Sequence, residues 1–134
     1  MQQSNFSIEM AVRDYECDMQ GVVNNAVYQN YLEHARHEYL KSIGIDFAAL
    51  TARGINLVVI RAEVDYKLSL TSGDRFLVEV AVERISPVRI GFRQHIYRLP
   101  DRKTVVRALV TGTALNNNGR PQLPMELDAL LRQT

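Results

Sequence analysis

The chain has 134 residues, of which 46% are hydrophobic and 23% charged. This is enough for one globular domain whose core needs no disulfides or metals. The single cysteine, Cys17, excludes an internal disulfide framework and a cysteine-rich zinc site. No apolar run approaches the roughly 20 residues that span a bilayer, and the N-terminus has no secretory signal pattern. We therefore expect a single domain over residues 1–134 that is cytoplasmic, has no membrane partner and needs no metal or other cofactor.

Charge is distributed unevenly along the chain. The formal net charge is only +1, which argues against a general nucleic-acid binder. Residues 1–83 carry seven basic and twelve acidic side chains, whereas residues 84–107 carry seven basic side chains and one acidic residue, Asp101. This basic segment could contact phosphates, which arginine binds in bidentate fashion. It could equally be a solvated sheet face with arginine stems lying over apolar neighbours, and charge alone leaves both interpretations open.

Hydrophobic periodicity predicts a strand followed by a long helix. Apolar and polar residues alternate over residues 6–13, which is typical of a half-buried strand. Over residues 28–43 the apolar side chains recur at helical spacing. Gly44 stands at the usual C-terminal position, and Asn24 or Asn25 can cap the start. The polar face of this helix is predicted to carry Gln29, Glu33, Arg36, His37 and Lys41.

The rest of the chain alternates at strand period in four stretches separated by turn residues, and a short closing helix follows. The stretches are residues 63–70, 76–82, 88–96 and 105–115, and the closing helix is predicted from Leu127, Leu130 and Leu131. Strands joined by tight turns imply a mostly antiparallel sheet, which one long helix can cover. The sequence therefore predicts an α+β fold. Its outer strands would leave backbone groups unpaired, so we expect a homo-oligomer with two-fold symmetry.

The densest group of polar side chains lies in residues 14–28, at the start of the long helix. Three carboxylates, one glycine and two asparagines precede free backbone N–H groups, which favour an anion or a developing oxyanion. A carboxylate held opposite that start could act as nucleophile or general base. Asp and Asn are also common in loops and caps because of their local hydrogen bonds, so spacing alone leaves a structural role open.

The same region carries a family signature. It reads RDYECDMQGVVNNAVY over residues 13–28 and continues as NYLEHAR over residues 30–36. This pattern resembles the 4-hydroxybenzoyl-CoA thioesterase-like hotdog family, and residues 88–96 and 119–124 fit the resemblance. It implies a hotdog fold, in which a five-stranded antiparallel sheet wraps around one long central helix. It also implies that protomers pair into a homodimer or homotetramer with active sites at the interface.

The resemblance implies roles for individual residues. The aspartate that precedes Met-Gln-Gly corresponds to Asp18, the family's catalytic carboxylate, which attacks the thioester carbonyl or activates a water molecule. The backbone N–H of Asn25 would polarise the carbonyl oxygen, Gly21 would let the loop approach the substrate, and Tyr28 could line the acyl pocket. Relatives often have histidine or tyrosine where this chain has Asn24 and Asn25, so the assisting side chain is left open.

The implied activity is hydrolysis of an acyl-CoA thioester to a free carboxylic acid and CoA. Arg89 and Arg93 share one face of a predicted strand and are the candidate contacts for the phosphates of CoA. Two alternatives remain: an acyl-carrier-protein thioesterase whose acidic carrier meets the basic segment, and a non-catalytic acyl-CoA-binding protein on the same fold. On the helix, Glu33 is either a second candidate carboxylate or an ion-pair partner of Arg36 and His37.

Overall fold

The computed structural model describes residues 6–132 of the chain. In chain order the elements are β1 (Phe6–Ala11), α1 (Asn25–Ser42), α2 (Phe47–Ala52), β2 (Asn56–Tyr66), β3 (Arg75–Ser86), β4 (Arg89–Leu99), β5 (Thr104–Leu115) and α3 (Met125–Arg132). The five strands form one sheet in the order β1-β3-β4-β5-β2, and every neighbouring pair is antiparallel. The predicted α+β architecture is therefore confirmed.

The long helix α1 packs on the sheet and supplies much of the core. It begins at Asn25 because Asn24 is the cap, with its side-chain Oδ1 accepting the N–H of Ala26 at 2.9 Å. It ends at Ser42, two residues before Gly44, whose φ of +89° suits only glycine readily. The helix side chains that are buried against the sheet and its loops are Tyr28, Tyr31, Leu32, Ala35, Arg36, Tyr39 and Leu40.

Two elements differ from the sequence prediction. The strand predicted over residues 63–70 lies earlier in the chain, because β2 ends at Tyr66 and the alternation continues into a loop. Leu70 in that loop is fully buried, and its N–H donates to the hydroxyl of Tyr28 at 2.9 Å. The periodicity therefore reflects packing of the loop against α1. The short helix α2 was not predicted; Asp46 caps it by accepting the N–H of Ala48 at 2.9 Å.

Strand β2 forms one edge of the sheet. It pairs with β5 only, within the described residues 6–132, and its register shifts at Ile60. Val59 and Ile60 are 51% and 46% exposed, which is unusual for aliphatic side chains in a strand. This open edge, with its two exposed aliphatic side chains, is the kind of surface that the predicted homo-oligomer would cover.

Candidate active site

A short hairpin over residues 16–24 precedes α1 and presents the carboxylate of Asp18 near the helix start. The N–H of Asn24 donates to the carbonyl of Glu16 at 3.2 Å. Further along, the N–H of Asp18 donates to the carbonyl of Val22 at 2.9 Å. The Asp18–Val22 pair is thus two residue pairs along the hairpin from the Glu16–Asn24 pair, and Asn24 directly precedes the first turn of the helix. These local backbone hydrogen bonds bring the two parts of the sequence motif together, and the N–H of Val23 attaches the hairpin to the carbonyl of Leu70 at 2.9 Å.

Gly21 closes the tip of this hairpin in a backbone conformation that favours glycine. Its φ is +80°, in the left-handed region, and its N–H donates to the carbonyl of Asp18 at 3.0 Å. A Cβ at this position would contact nothing within 4 Å, so the requirement for glycine is conformational and not steric. The predicted role of Gly21 in substrate approach stays a prediction.

Two of the three carboxylates in this segment hold the hairpin in place. Asp14 accepts a hydrogen bond from the hydroxyl of Ser72 in the β2–β3 loop. Glu16 accepts the hydroxyl of Tyr31 at 2.7 Å and the backbone N–H of Arg13 at 2.8 Å. Both side chains therefore connect the hairpin to its surroundings, as expected of loop carboxylates.

Asp18 is the exposed carboxylate that is left. Its Oδ1 accepts the N–H of Gln20 at 2.9 Å and that of Val22 at 3.4 Å, which fixes the side chain over its own turn. Its Oδ2 has no hydrogen-bond partner in the part of the chain that the structure describes. The residue is therefore oriented and has one oxygen free to contact a substrate or a water molecule.

The first N–H group of α1 is also free. The side chain of Asn24 satisfies Ala26, and the carbonyl of Asn24 accepts the N–H of Val27 at 2.9 Å. The N–H of Asn25 has no acceptor between residues 6 and 132. Because the N-terminal end of a helix carries partial positive charge, this group can stabilise a developing negative charge on an oxygen.

An open groove of about 440 Å³ lies beside this helix start. It is lined by Asn25, Tyr28, Tyr66, Lys67, Leu68 and Ser69. The sequence-predicted residue Tyr28 forms part of its wall, with its ring 5.8 Å from that of Tyr66. Burial raises the pKa of the Tyr28 hydroxyl, so it stays neutral. Lys67, exposed at the groove, was missed because nothing in the sequence places this loop beside Asn25.

Cys17 is adjacent to Asp18 but is not set up as a nucleophile. Burial raises the pKa of its thiol, and the carboxylates of Asp14, Asp18 and Glu16 raise it further. The thiol therefore stays protonated near neutral pH, in agreement with its interpretation as a packing residue.

No group of three or more His, Cys, Asp or Glu side chains within residues 6–132 could hold a metal ion.

The candidate phosphate contacts lie elsewhere on the molecule. Arg89 and Arg93 both project from the face of β4 opposite to the buried Ile90 and Phe92. Arg93 forms an ion pair with Glu83 at 2.5 Å. Arg89 is exposed and has no ion-pair partner in the described residues.

The position of Arg89 separates it from the hairpin of the same chain. Val22 pairs with Thr71, shortly before β3 begins, whereas Arg89 pairs with Ser86 where β3 ends. The twelve residues of β3 span about 35 Å along the strand. One protomer therefore does not bring Arg89 together with Asp18.

A second cavity of about 340 Å³ lies between α1, α2 and the first half of β2. Its walls are mainly apolar, with Leu40, Phe47, Leu50, Leu57, Phe92 and Leu127 among them. Three polar side chains of α1 also line it, namely Glu33, Arg36 and His37. No sequence pattern indicated this cavity, because it depends on the unpredicted helix α2.

Arg36 departs from the sequence prediction. The periodicity put it on the polar face of α1, but the side chain is only 8% exposed. Its Nη1 donates to Oε1 of Gln94 at 3.1 Å, and the guanidinium carbon lies 5.9 Å from the centre of the Phe92 ring. The ion pair with Glu33, one of the two alternatives that the sequence left open for that residue, does not form within the described residues. Burial lowers the pKa of the guanidinium, and the nearby charge of Glu33 opposes this shift.

None of the helices between residues 6 and 132 is long and apolar enough to cross a membrane.

Comparison with known proteins places the chain in a family. The profile of the thioesterase-like superfamily matches residues 12–133. The chloroplastic acyl-acyl carrier protein thioesterase ATL2 of Arabidopsis thaliana is 44% identical over 85% of this chain and 61% of its own length. The long-chain acyl-CoA thioesterase FadM of Escherichia coli is 26% identical over 88% of this chain and 89% of its own length. The chain therefore belongs to the thioesterase-like superfamily.

The fold agrees with this membership. The crystal structure of a 1,4-dihydroxy-2-naphthoyl-CoA thioesterase from Synechocystis superposes with a TM-score of 0.89 over 95% of each chain, at 20% identity. At that identity the likeness concerns the fold alone, and it confirms the hotdog architecture. The chain spans about three fifths of the length of the two Arabidopsis relatives it matches, 61% of one and 60% of the other.

Proposed function

We propose that the protein is a thioesterase that hydrolyses an acyl thioester to a carboxylic acid and a free thiol. The observation that carries the proposal is the free N–H of Asn25 at the helix start beside a hairpin whose exposed carboxylate, Asp18, has an unpartnered oxygen. Membership of the thioesterase-like superfamily supports the same reaction.

In this proposal the thioester carbonyl oxygen accepts the N–H of Asn25, which stabilises the negative charge that develops during attack. Asp18 then acts in one of two ways. As a nucleophile it forms an acyl–aspartyl anhydride and releases the thiolate, which takes up a proton, and water then hydrolyses the anhydride. As a general base it accepts a proton from the water that attacks the carbonyl. Both routes consume one water molecule and give one acid and one thiol.

The carrier of the acyl group is proposed to be CoA, with an acyl-carrier protein as the second candidate. FadM supports the first and ATL2 the second, each by the substrate in its name. The phosphates of a bound CoA would contact Arg89 and Arg93. Because one protomer does not bring Arg89 together with Asp18, these contacts would come from a neighbouring protomer of a homodimer or homotetramer. The exposed edge formed by Val59 and Ile60 supports such an assembly.

The test is thiol release from acyl-CoA and acyl-carrier-protein substrates of several chain lengths, with Asp18→Asn beside the unmodified protein. We expect turnover in the unmodified protein and a fall in kcat of about 10²–10³-fold in the variant, because the charge is lost while the shape is kept. Asp65→Asn is the matched control, since it removes another exposed carboxylate without an ion-pair partner in the described residues. It should leave kcat unchanged.

Two outcomes would change the proposal. Full activity in Asp18→Asn would assign catalysis to another carboxylate, and Glu33 would be examined next. Absence of turnover on every thioester by the unmodified, folded protein would contradict the enzyme and favour the acyl-CoA-binding alternative.

A further inference from the structure

Arg36 is the only charged residue that is buried among residues 6–132. A guanidinium has five N–H donors, but the one recorded hydrogen bond from this group goes to Gln94 at 3.1 Å. No carboxylate of the described chain lies within ion-pair distance of it. Glu33 lines the same cavity beyond ion-pair distance and favours the charged guanidinium, but the remaining N–H donors of Arg36 have no acceptor in the described chain, so an oxygen atom of a ligand in the cavity can supply one.

Gln94 and Phe92 contact the guanidinium of Arg36, and the same side chain lines the 340 Å³ cavity. Gln94 is 1% exposed and is itself fixed, since its amide nitrogen donates to the carbonyl of Leu32 at 3.0 Å. The ring of Phe92 lies against the guanidinium. The remaining open side is the 340 Å³ cavity, whose walls are mainly apolar. An acyl chain with an oxygen atom at its far end has the chemistry that fills such a space.

The spacing along α1 relates this cavity to the candidate active site. Arg36 follows Asn25 by eleven residues, which is about three helical turns, about 16 Å along the axis and about 20° around it. The groove at Asn25 is walled by Tyr66, at the end of β2, whereas the cavity at Arg36 is walled by Leu57, near its beginning. The two openings therefore lie at opposite ends of the same side of α1, along the same strand.

We propose that Arg36 is a substrate-binding residue that donates hydrogen bonds to an oxygen at the distal end of the acyl group. The inference rests on the proposed thioesterase function, because it places the thioester carbonyl at Asn25. The preferred acyl group then carries a hydroxyl, keto or carboxyl oxygen at a distance from its carbonyl on the order of the 16 Å that separates the two residues along the helix axis. At about 1.2 Å per bond of an extended chain, this distance corresponds to roughly a dozen carbon atoms.

The direct test is binding of the free acids by titration calorimetry, which does not depend on turnover. Dodecanoic acid, 12-hydroxydodecanoic acid, 12-oxododecanoic acid and dodecanedioic acid are compared, together with the ω-hydroxy acids of eight, ten, fourteen and sixteen carbons. We expect the distal oxygen to strengthen binding about tenfold near twelve carbons, the usual effect of one hydrogen bond to a charged group. The three oxygenated acids distinguish which oxygen is preferred. An equal gain at every length, or none, would overturn the proposal.

Variants separate ligand binding from a structural role of the arginine. Arg36→Met should abolish the tenfold preference for the oxygenated acid, and Arg36→Lys, which keeps the charge, should restore part of it. Arg53→Met is the matched control, because Arg53 is exposed, pairs with Glu126 and does not itself line the cavity. If Arg36→Met does not fold, Arg36→Lys and the length series on the unmodified protein decide. Preference that persists in folded Arg36→Met would overturn the proposal.

These titrations, taken together with the thiol-release assay, distinguish failure of this inference from failure of the proposed function. Length-dependent discrimination without turnover would refute the thioesterase and retain Arg36 as a binding residue. Turnover without discrimination would retain the thioesterase and refute the role of Arg36.

Discussion

Two charge-rich segments of the chain differ in how their charged side chains are partnered in the folded protein. In the acidic hairpin before α1, Asp18 stays exposed with one oxygen unpartnered in the described structure. In the basic segment over residues 84–107, three of the six arginines pair with carboxylates, namely Arg84 with Asp128, Arg93 with Glu83 and Arg98 with Asp101. Arg107 donates instead to Nε2 of His95, which leaves its positive charge uncompensated.

The difference arises from where the partners come from. The turn that holds Asp18 is formed by hydrogen bonds between residues close in sequence, so its free carboxylate could be anticipated from the motif. Partners such as Glu83 and Asp128 come from β3 and α3. Three of the seven basic side chains in the segment are therefore compensated by carboxylates, whereas Arg89 has no ion-pair partner in the described residues.

The largest effect among the following tests is expected from a change that disturbs the hairpin but leaves every charged group in place. Gly21→Ala forces an alanine into the left-handed region, at a cost of about 1–2 kcal/mol. We expect the tip to rearrange and thiol release to fall about tenfold, because Asp18 is held by this turn. Gly44→Ala, with φ +89° and an equally open Cβ position at the other end of α1, is the control. A similar loss of kcat in both variants would mean that destabilisation alone explains it.

Sequence periodicity was sufficient for the helix α1 and for most of the antiparallel sheet, but it put the strand β2 at residues 63–70 instead of Asn56–Tyr66. Cap residues act locally, and of the two candidates Asn24 and Asn25 the structure uses Asn24. The motif around Asp18 also lies within about a dozen residues of the helix start, so one stretch of sequence contains both halves of the candidate active site.

The second cavity could not be predicted, for physical reasons. It needs α2, a helix of six residues whose clearest signal is the single cap residue Asp46. It also needs Arg36 to be buried, whereas charged residues are almost never fully buried without a partner. The side chain that accepts its hydrogen bond is Gln94, 58 residues away in sequence, and only the packing of β4 on α1 brings the two together.

Three tyrosines of α1 are buried in the core, and Tyr31 connects the hairpin to the core through its hydrogen bond to Glu16. Burial raises the pKa of Tyr28, Tyr31 and Tyr39, and for Tyr31 the hydrogen bond to Glu16 raises it further. A tyrosine whose pKa is higher in the folded than in the unfolded chain contributes stability that is complete below about pH 10 and is lost as the pH rises above it. We therefore expect the free energy of unfolding to fall steeply on the alkaline side.

Urea unfolding at pH 8 and pH 11 measures this dependence. Tyr31→Phe should lower the free energy of unfolding by about 1 kcal/mol at pH 8, since Glu16 loses one of its donors, and should reduce the further loss at pH 11. Tyr15→Phe is the control, because Tyr15 is 79% exposed. A pH dependence that is unchanged in Tyr31→Phe would show that Tyr31 does not contribute to the alkaline loss.

The smallest expected effect separates free from neutralised arginines in the basic segment. Arg89→Ala should raise KM for acyl-CoA a few-fold, and more at low salt, while a short pantetheine thioester is unaffected because it lacks the nucleotide phosphates. Arg93→Ala should raise KM less, since Glu83 already neutralises Arg93 at 2.5 Å. The double variant should therefore resemble Arg89→Ala. Equal effects on acyl-CoA and on the pantetheine thioester would remove these arginines from phosphate binding, and a larger effect of Arg93→Ala would show that the ion pair opens when substrate binds.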